Sequence, residues 1–177
     1  MRHLLAVSLS LALAIALGGA ALARPVPELK AEDFHCLLDG KKPKGRNFFV
    51  FHRNKAKLRM AVRMSRTGKI PKRGYPVGTI LQVLPFEAMV KRPRGFNPDG
   101  NDWEWVRLAV SPDGSSAIAA TGASEVRNAL GSCQGCHQAI DRQSPHDLVC
   151  GFVIGASGLG LTDEQLAAIQ ATDPRCK

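Results

Sequence analysis

A C-x-x-C-H motif lies at residues 133–137, close to the end of a chain of 177 residues. Its members are Cys133, Cys136 and His137. This spacing is the signature of covalent c-type haem attachment. Two thioether bonds to the haem vinyl groups need both sulfurs on one short helical stretch, and the histidine that follows is then held at the iron as an axial ligand. The motif predicts one covalent haem c, bound by these three residues, with His137 as the metal ligand.

Three other interpretations of the motif are weaker but open. A thioredoxin-like dithiol has C-x-x-C at a strand-to-helix junction early in its fold, usually without the histidine. A zinc site needs four ligands, and the sequence contains no second C-x-x-C or H-x-x-H pair to complete them. The third is a structural disulfide between Cys133 and Cys136. The histidine in register after the second cysteine favours haem.

Residues 1–23 are predicted to be a secretory signal peptide. A basic start and an apolar run at 4–17 precede small residues that end in Ala-Leu-Ala at 21–23. This order predicts cleavage before Arg24. The alternative is an uncleaved anchor, because the whole apolar segment is just long enough to span a bilayer. We therefore expect residues 24–177 to form a single haem-binding domain without stable membrane insertion, exported to the periplasm of a Gram-negative source.

Positive charge is concentrated in one segment of the chain. The formal net charge is +9, and residues 41–73 contain thirteen Lys or Arg and no Asp or Glu. A basic face can attract an acidic protein or anionic lipid, or it can simply be a solvated surface. Nucleic acid is not expected as a partner, since an exported protein rarely meets it. The charge pattern is consistent with docking of an acidic redox partner protein.

The periodicity of apolar residues predicts an α+β fold, with an antiparallel sheet at its centre and flanking helices. Residues 75–90 form a β-rich run that Pro76 and Pro85 restrict to an edge or bulged strand. The other predicted strands are 46–52, 103–110 and 117–121, the last two joined as a hairpin. The predicted helices are 29–38, 55–66, 123–130 and 161–172. The helix at 55–66 depends on its caps, Asn54 and Gly68, because its apolar residues alternate as in a strand.

Cysteines outside the motif predict one disulfide. Cys36, Cys150 and Cys176 remain after the haem cysteines are assigned, and an oxidising compartment permits disulfides. We favour Cys150 with Cys176, which would tie the last helix to the haem segment. Cys36 is the competing partner, and the sequence does not separate the three pairings.

The position of the motif separates this chain from the common cytochromes c. Class I cytochromes place the motif early and usually supply a methionine ligand downstream, but here no methionine follows Cys136. Class II cytochromes place it late, but behind helices rather than strands. The late motif behind a β-rich region resembles the cytochrome P-460 family and its relative, cytochrome c-prime-beta. The segments that carry the resemblance are YPVGTILQV (75–83), NDWEWVRLAVSPDG (101–114) and GSCQGCHQAIDRQSPHDLVCGF (131–152).

The resemblance covers residues 46–152 and implies a haem domain that often forms dimers, so a homodimer is an expectation. It extends to a bacterial branch of that family through EAMVKRPRGFNPDGNDWEW and ATDPRC. Within the family, cytochromes P-460 oxidise hydroxylamine with a lysine cross-linked to the haem. Cytochromes c-prime-beta instead have an apolar distal pocket and bind nitric oxide or carbon monoxide.

The cross-linking lysine of the hydroxylamine-oxidising relatives lies five residues after the glycine of a Gly-Thr pair. Counted from Gly78, that position holds Val83, and no lysine occurs between Arg73 and Val90. The surrounding segment TILQVLPF is apolar. We therefore expect electron transfer or binding of NO or CO at an apolar distal site, with no catalytic residue. A haem enzyme that oxidises hydroxylamine or another small nitrogen species is the alternative.

Six further side chains are candidates for a role at the site. Met89 is a candidate sixth ligand, although a strand methionine more often packs. His52 is a weaker candidate, since a hydrogen-bonded histidine of the core or surface is commoner. Glu87 and Arg127 are the candidate acid–base groups if the protein is an enzyme. Trp103 and Trp105 share a strand face and are expected to pack in the sheet or at the haem edge.

Overall fold

A computed structural model describes residues 26–128, 131–143, 145–153 and 155–177. The predicted signal peptide lies outside these ranges. The elements in chain order are β1 (Phe49–Phe51), α1 (Lys55–Thr67), β2 (Ile80–Leu84), β3 (Glu87–Lys91), β4 (Trp103–Val110), β5 (Ser116–Thr121), β6 (Arg127–Asn128), β7 (Gly131–Ser132), α2 (Cys133–Asp141) and α3 (Asp163–Ala171). Short 3-10 turns lie at Ala31–Asp33, Leu37–Asp39, Pro98–Gly100, Cys150–Phe152 and Ala156–Leu159. In the part of the chain that the structure describes, no helix is both long and apolar enough to cross a membrane.

The five longer strands form one antiparallel sheet in the order β1-β2-β3-β4-β5, so the α+β prediction with a central antiparallel sheet is confirmed. Leu81, Met89 and Trp105 are direct neighbours across β2, β3 and β4. Because side chains alternate between the two faces of a strand, these three lie on the same face of the sheet. That face packs against the segment that carries the C-x-x-C-H motif.

The other face of the sheet has its own apolar cluster. Ala88, Val90, Val106 and Leu108 are buried there against Phe34 from the N-terminal segment. The sheet is therefore covered on both sides. Apolar residues of β3 and β4 therefore point to both faces, as Met89 and Trp105 do on one side and Ala88 and Val106 on the other.

Helix α1 confirms the prediction made from its caps. The side chain of Asn54 accepts hydrogen bonds from two backbone N–H groups of the first turn, and Gly68 ends the helix in the left-handed conformation at φ 69°. These caps satisfy backbone groups that a strand would leave to a neighbour. Local capping therefore decided the structure against the two-residue alternation of apolar side chains.

The prediction of one strand over 75–90 was wrong. The segment contains two strands, β2 and β3, which form a hairpin through a turn at Pro85 and Phe86. Proline has no backbone N–H to donate, so it fits the turn better than a strand. The bulge is real, because the pairing shifts register between Gln82 and Leu84.

Two predicted helices are also wrong in their described parts. Residues 29–38 form two separate 3-10 turns, and the described part of 123–130 ends in the short strand β6. Ser124, expected as a helix cap, bonds to the side chain of Glu125 and to no backbone N–H that the structure records. The backbone N–H of Cys133 bonds to the carbonyl of Val126, so the chain turns back here to reach the motif.

The predicted disulfide between Cys150 and Cys176 was wrong, because the structure joins Cys36 to Cys176. The cause is a polar contact between the two ends of the described chain. Asp173 accepts a hydrogen bond from the backbone N–H of Leu37, and it forms an ion pair with Arg175. These contacts place the C-terminal tail beside the N-terminal segment, and Cys150 is left as a free thiol.

Helix α3 confirms its prediction and positions β2. Thr162 and Gln165 form a capping box at its start. From its last turn, the side chain of Gln170 donates to the carbonyls of Asn47 and Val83. The helix therefore holds the end of β2 that lies nearest to the motif.

Candidate cofactor site

The three residues of the motif lie on one face of α2, as the sequence predicts. Ser132 caps the helix by accepting a hydrogen bond from the backbone N–H of Gly135, and the helix begins at Cys133. Cys133, Cys136 and His137 are therefore spaced at positions i, i+3 and i+4 of a helix. Side chains at this spacing are neighbours on the helix surface.

A cavity of about 100 Å³ lies between α2 and the sheet. Cys133 and His137 contribute to its wall from the motif side. Leu81, Val83 and Met89 contribute from the sheet. The wall is apolar apart from the thiols, His137 and one carboxyl group, and among the described residues that line it there is no lysine or arginine.

His137 is held in one orientation. Its Nδ1 lies 2.6 Å from the carbonyl oxygen of Leu148, and its ring makes an edge contact with Trp105 at 4.5 Å between ring centres. A carbonyl only accepts hydrogen bonds, so Nδ1 carries the proton and Nε2 keeps its lone pair. Burial lowers the pKa of His137, which favours the neutral ring. This is the form of histidine that binds a metal.

Gln134, the first residue between the two cysteines, connects α2 to the sheet. Its Oε1 accepts hydrogen bonds from Nε1 of Trp105 at 3.0 Å and from Nδ2 of Asn97 at 2.7 Å. Nothing in the sequence indicates this role. A buried indole N–H needs an acceptor, but sequence alone does not say which side chain supplies it.

Two thiols that line the cavity, Cys133 and Cys150, have raised pKa values. Burial raises the pKa of Cys133 to about 11, and the nearby carboxyl of Glu87 raises it further. Burial also raises the pKa of Cys150, which lines the same cavity, to about 12. A dithiol redox centre has a thiol of lowered pKa. The electrostatics therefore argue against the thioredoxin-like interpretation.

Some of the other residues that the sequence singles out line the cavity, and others do not. Val83 and Met89 lie on the cavity wall, and Glu87 supplies its single carboxyl group. Burial raises the pKa of Glu87, with Arg107 as the opposing influence. Arg127 is exposed on β6 and is not part of the wall.

His52 and Trp103 lie away from the cavity. His52 accepts from the backbone N–H of Asn54 through Nδ1 and bonds to the carbonyl of Val77 through Nε2. Both ring nitrogens are used, which is the structural interpretation. Trp103 is fully buried, and its Nε1 donates to the carbonyl of Asp147.

A second, larger groove of about 970 Å³ is lined by basic side chains. Four of them are exposed and make no ion pair among the described residues: Lys57, Lys72, Arg73 and Arg94. The acidic groups of the groove are already engaged, because Asp102 and Asp141 accept backbone hydrogen bonds and Asp147 pairs with Lys91. The groove therefore presents net positive charge.

The donor set on α2 and its surroundings are compatible with a covalent haem. One helix face carries two cysteines and a neutral histidine that is oriented by a backbone carbonyl, beside an apolar cavity. Within the described ranges, no group of three or more His, Cys, Asp or Glu side chains is placed to hold a metal ion by itself. Comparison of the chain with protein-family models, curated proteins and solved structures finds no match.

Proposed function

We propose that this chain is an exported monohaem c-type cytochrome of the P-460-like kind, which transfers electrons or binds a small diatomic gas at an apolar site. The observation that carries the proposal is the orientation of His137. Its Nδ1 proton is committed to the carbonyl of Leu148, so Nε2 is left for a metal at the cavity between α2 and the sheet.

In this proposal Cys133 and Cys136 would hold the haem through two thioether bonds, and His137 would bind its iron. The haem would supply a redox-active iron that can also bind a diatomic ligand. The chain itself supplies the orientation of the histidine, through Leu148, and a wall that excludes water, through side chains such as Leu81. Neither attachment of the haem nor binding of a diatomic ligand requires a charged side chain of this chain.

The apolar wall favours gas binding over a permanently closed iron site. Val83 and Leu81 offer no donor atom, and Met89 is the one side chain of the sheet wall that has a soft ligand atom. Met89 is buried in the core cluster with Leu81 and Trp105, which is the packing role expected for methionine. We therefore assign it packing and not ligation.

Absorption spectra of the ferrous protein with and without carbon monoxide test this assignment. We expect a clear change on adding CO, and the same change in Met89→Leu. A permanently low-spin iron in the wild type that becomes CO-responsive only in Met89→Leu would identify Met89 as the sixth ligand. That outcome would leave electron transfer as the function and remove gas binding.

Hydroxylamine oxidation is the second candidate, and Glu87 is the observation that favours it. A carboxyl of raised pKa on the wall of a haem cavity is suited to proton transfer. Against it stands Val83 at the position where the resembling enzymes have their cross-linking lysine. We expect no turnover of hydroxylamine with an electron acceptor. Turnover in the wild type that is lost in Glu87→Gln would overturn the non-catalytic proposal.

The basic groove is our proposed docking surface for an acidic redox protein. Three of its four free cations, Lys57, Lys72 and Arg73, lie in the basic segment predicted from sequence, but Arg94 lies outside it. With an acidic ferredoxin as the probe, the second-order rate of electron transfer should fall steeply with ionic strength. Lys72→Glu should lower the rate more than Lys44→Glu, an equal charge change outside the groove. Equal effects would contradict the groove.

Export to the periplasm and assembly as a homodimer belong to the same proposal. Sequencing of the mature N-terminus should begin at Arg24, and light scattering should give twice the chain mass. An N-terminus at Met1 in the purified protein would contradict cleavage of the signal peptide.

A further inference from the structure

We propose that the buried ion pair of Lys91 and Asp147 positions the axial histidine, acting through the backbone carbonyl of Leu148. The inference rests on the proposed function, because it concerns His137 as an iron ligand. Lys91 and Asp147 do not contact the cavity. They are positioning residues that set the strength of the bond between His137 and iron.

The pair is buried and has several contacts. Nζ of Lys91 lies 2.9 Å from Oδ1 and 2.8 Å from Oδ2 of Asp147, and the two side chains are 6% and 8% exposed. Nζ also donates to the carbonyl of Asn101 at 2.6 Å. An ion pair removed from water is favourable only when further hydrogen bonds satisfy its remaining atoms. Here the bonds of Lys91 connect three separate segments of the chain: β3, the loop at Asn101 and the segment at Asp147.

Asp147 is fixed through its backbone as well as its side chain. The side-chain oxygen Oδ2 accepts a hydrogen bond from the backbone N–H of Tyr75 at 3.0 Å. The backbone carbonyl of Asp147 accepts one from Nε1 of Trp103 at 2.8 Å. Asp147 thus has contacts on three sides from β3, β4 and the loop before β2. The residue has little freedom to rotate about its backbone bonds.

Asp147 must be held in this way because the backbone at Asp147 and Leu148 is strained. Asp147 and Leu148 have φ angles of 57° and 61°, so two consecutive residues other than glycine are left-handed. Each costs about 1–3 kcal/mol and persists only where the surroundings enforce it. The result of this backbone is that the carbonyl of Leu148 points at Nδ1 of His137, while its N–H bonds to Asp141.

The hydrogen bond from Nδ1 to a carbonyl makes an axial histidine more basic and fixes its ring. If the ion pair holds that carbonyl, loosening the pair weakens the bond between Nε2 and iron. A weaker axial bond lowers the iron–histidine stretching frequency and raises the reduction potential, since second-shell hydrogen bonding is one of the levers on haem iron. A pair that only stabilises the fold would leave both quantities unchanged.

The chain contains a matched control. Arg92 and Glu104 form a second ion pair at 2.8 Å, with side chains 10% and 13% exposed. Arg92 directly follows Lys91 at the end of β3, and Glu104 lies on β4. Arg92 is also bonded to the carbonyl of Pro27. The structure records no bond from this pair to α2 or to the segment at 147–148. Breaking it should cost stability without affecting His137.

The experiment compares Lys91→Met and Arg92→Met after haem attachment has been established for each by mass. We expect Lys91→Met to lower the iron–histidine frequency in resonance Raman spectra of the ferrous protein and to raise its reduction potential. Arg92→Met should change neither. Lys91→Met leaves the buried carboxylate of Asp147 without its partner, so the double variant K91M/D147N, which removes both charges, is the second test and should give the same shifts.

The outcomes distinguish failure of the proposed function from failure of the positioning role. Absence of covalent haem in the wild type overturns the proposed function. Covalent haem in every variant, with wild-type frequency and potential in K91M/D147N, overturns the positioning role and leaves the proposed function standing. Equal shifts in the Lys91 and Arg92 variants also overturn it, since they would reflect a general loosening of the fold.

Discussion

Nε1 of Trp105 donates a hydrogen bond of 3.0 Å to Oε1 of Gln134. One partner lies in the middle of the sheet, and the other lies between the two cysteines of the motif. The same oxygen accepts a second bond, from Asn97 in the loop before β4. This contact fixes the motif helix relative to the sheet, and it therefore sets the width of the cavity between them.

Gln134→Leu should lower the free energy of unfolding by about 1–3 kcal/mol, because it leaves the buried indole N–H of Trp105 without an acceptor and removes one acceptor of the Asn97 amide. Urea denaturation of the apoprotein measures the change. Gln143→Leu, an exposed glutamine just after α2, is the control and should change the stability little. Equal losses in the two variants would show that the contact with Trp105 contributes nothing specific.

Local chemistry explains what was predictable in the fold. The caps at Asn54 and Gly68 and the capping box at Thr162 are short-range signals, and the helices they mark are present. The tight turn between β4 and β5 is another such signal. The failures involve contacts distant in sequence. The disulfide of Cys36 depends on Asp173, 136 residues from its hydrogen-bond partner Leu37.

The site shows the same division. The grouping of Cys133, Cys136 and His137 on one helix face follows from spacing alone, and the structure places them so. The carbonyl that orients His137 belongs to Leu148, whose left-handed backbone is unusual for leucine. No pattern in the sequence predicts that conformation. We attribute it to the contacts that Asp147 makes with Lys91, Tyr75 and Trp103, residues that only the folded chain brings together.

Loss of the disulfide should destabilise the protein by about 2–4 kcal/mol, since Cys36 and Cys176 close a long loop. The test is thermal or urea unfolding of Cys36→Ser. Cys150→Ala is the control and should lose less stability than Cys36→Ser, because Cys150 forms no disulfide. Peptide mapping that finds Cys150 joined to Cys176 would contradict this pairing.

Glu87→Gln should gain stability relative to wild type as the pH rises. Burial raises the folded-state pKa of Glu87 above its unfolded value, despite Arg107 on β4, with the thiol of Cys133 on the facing helix. A raised carboxyl pKa contributes stability below the unfolded pKa, and that contribution is lost as the pH rises through the folded pKa. The two proteins should therefore be similar in acid and diverge toward neutral pH. Urea titrations across this range measure the difference, and a constant difference would contradict it.

Gly74→Ala should be far more destabilising than Gly45→Ala. Both glycines have positive φ, 70° and 74°, so both substitutions cost about 1–2 kcal/mol of backbone strain. A Cβ at Gly74 would also lie 2.5 Å from Oδ2 of Asp147 and 2.6 Å from Nζ of Lys91, whereas a Cβ at Gly45 meets nothing. We expect a further loss of about 1–3 kcal/mol for overpacking at Gly74. Denaturant unfolding of the two variants tests this, and similar losses would contradict the tight packing around the ion pair.

The central claim, covalent haem at Cys133 and Cys136, is tested most directly by mass spectrometry of the denatured protein. The chain is expressed with a c-type cytochrome maturation system and purified from the periplasm. The account predicts a chain heavier by one haem, with the haem retained in acidified solvent and located on the peptide that contains both cysteines. A chain of unmodified mass from cells that mature a control cytochrome, or haem that acidified solvent extracts, would contradict it.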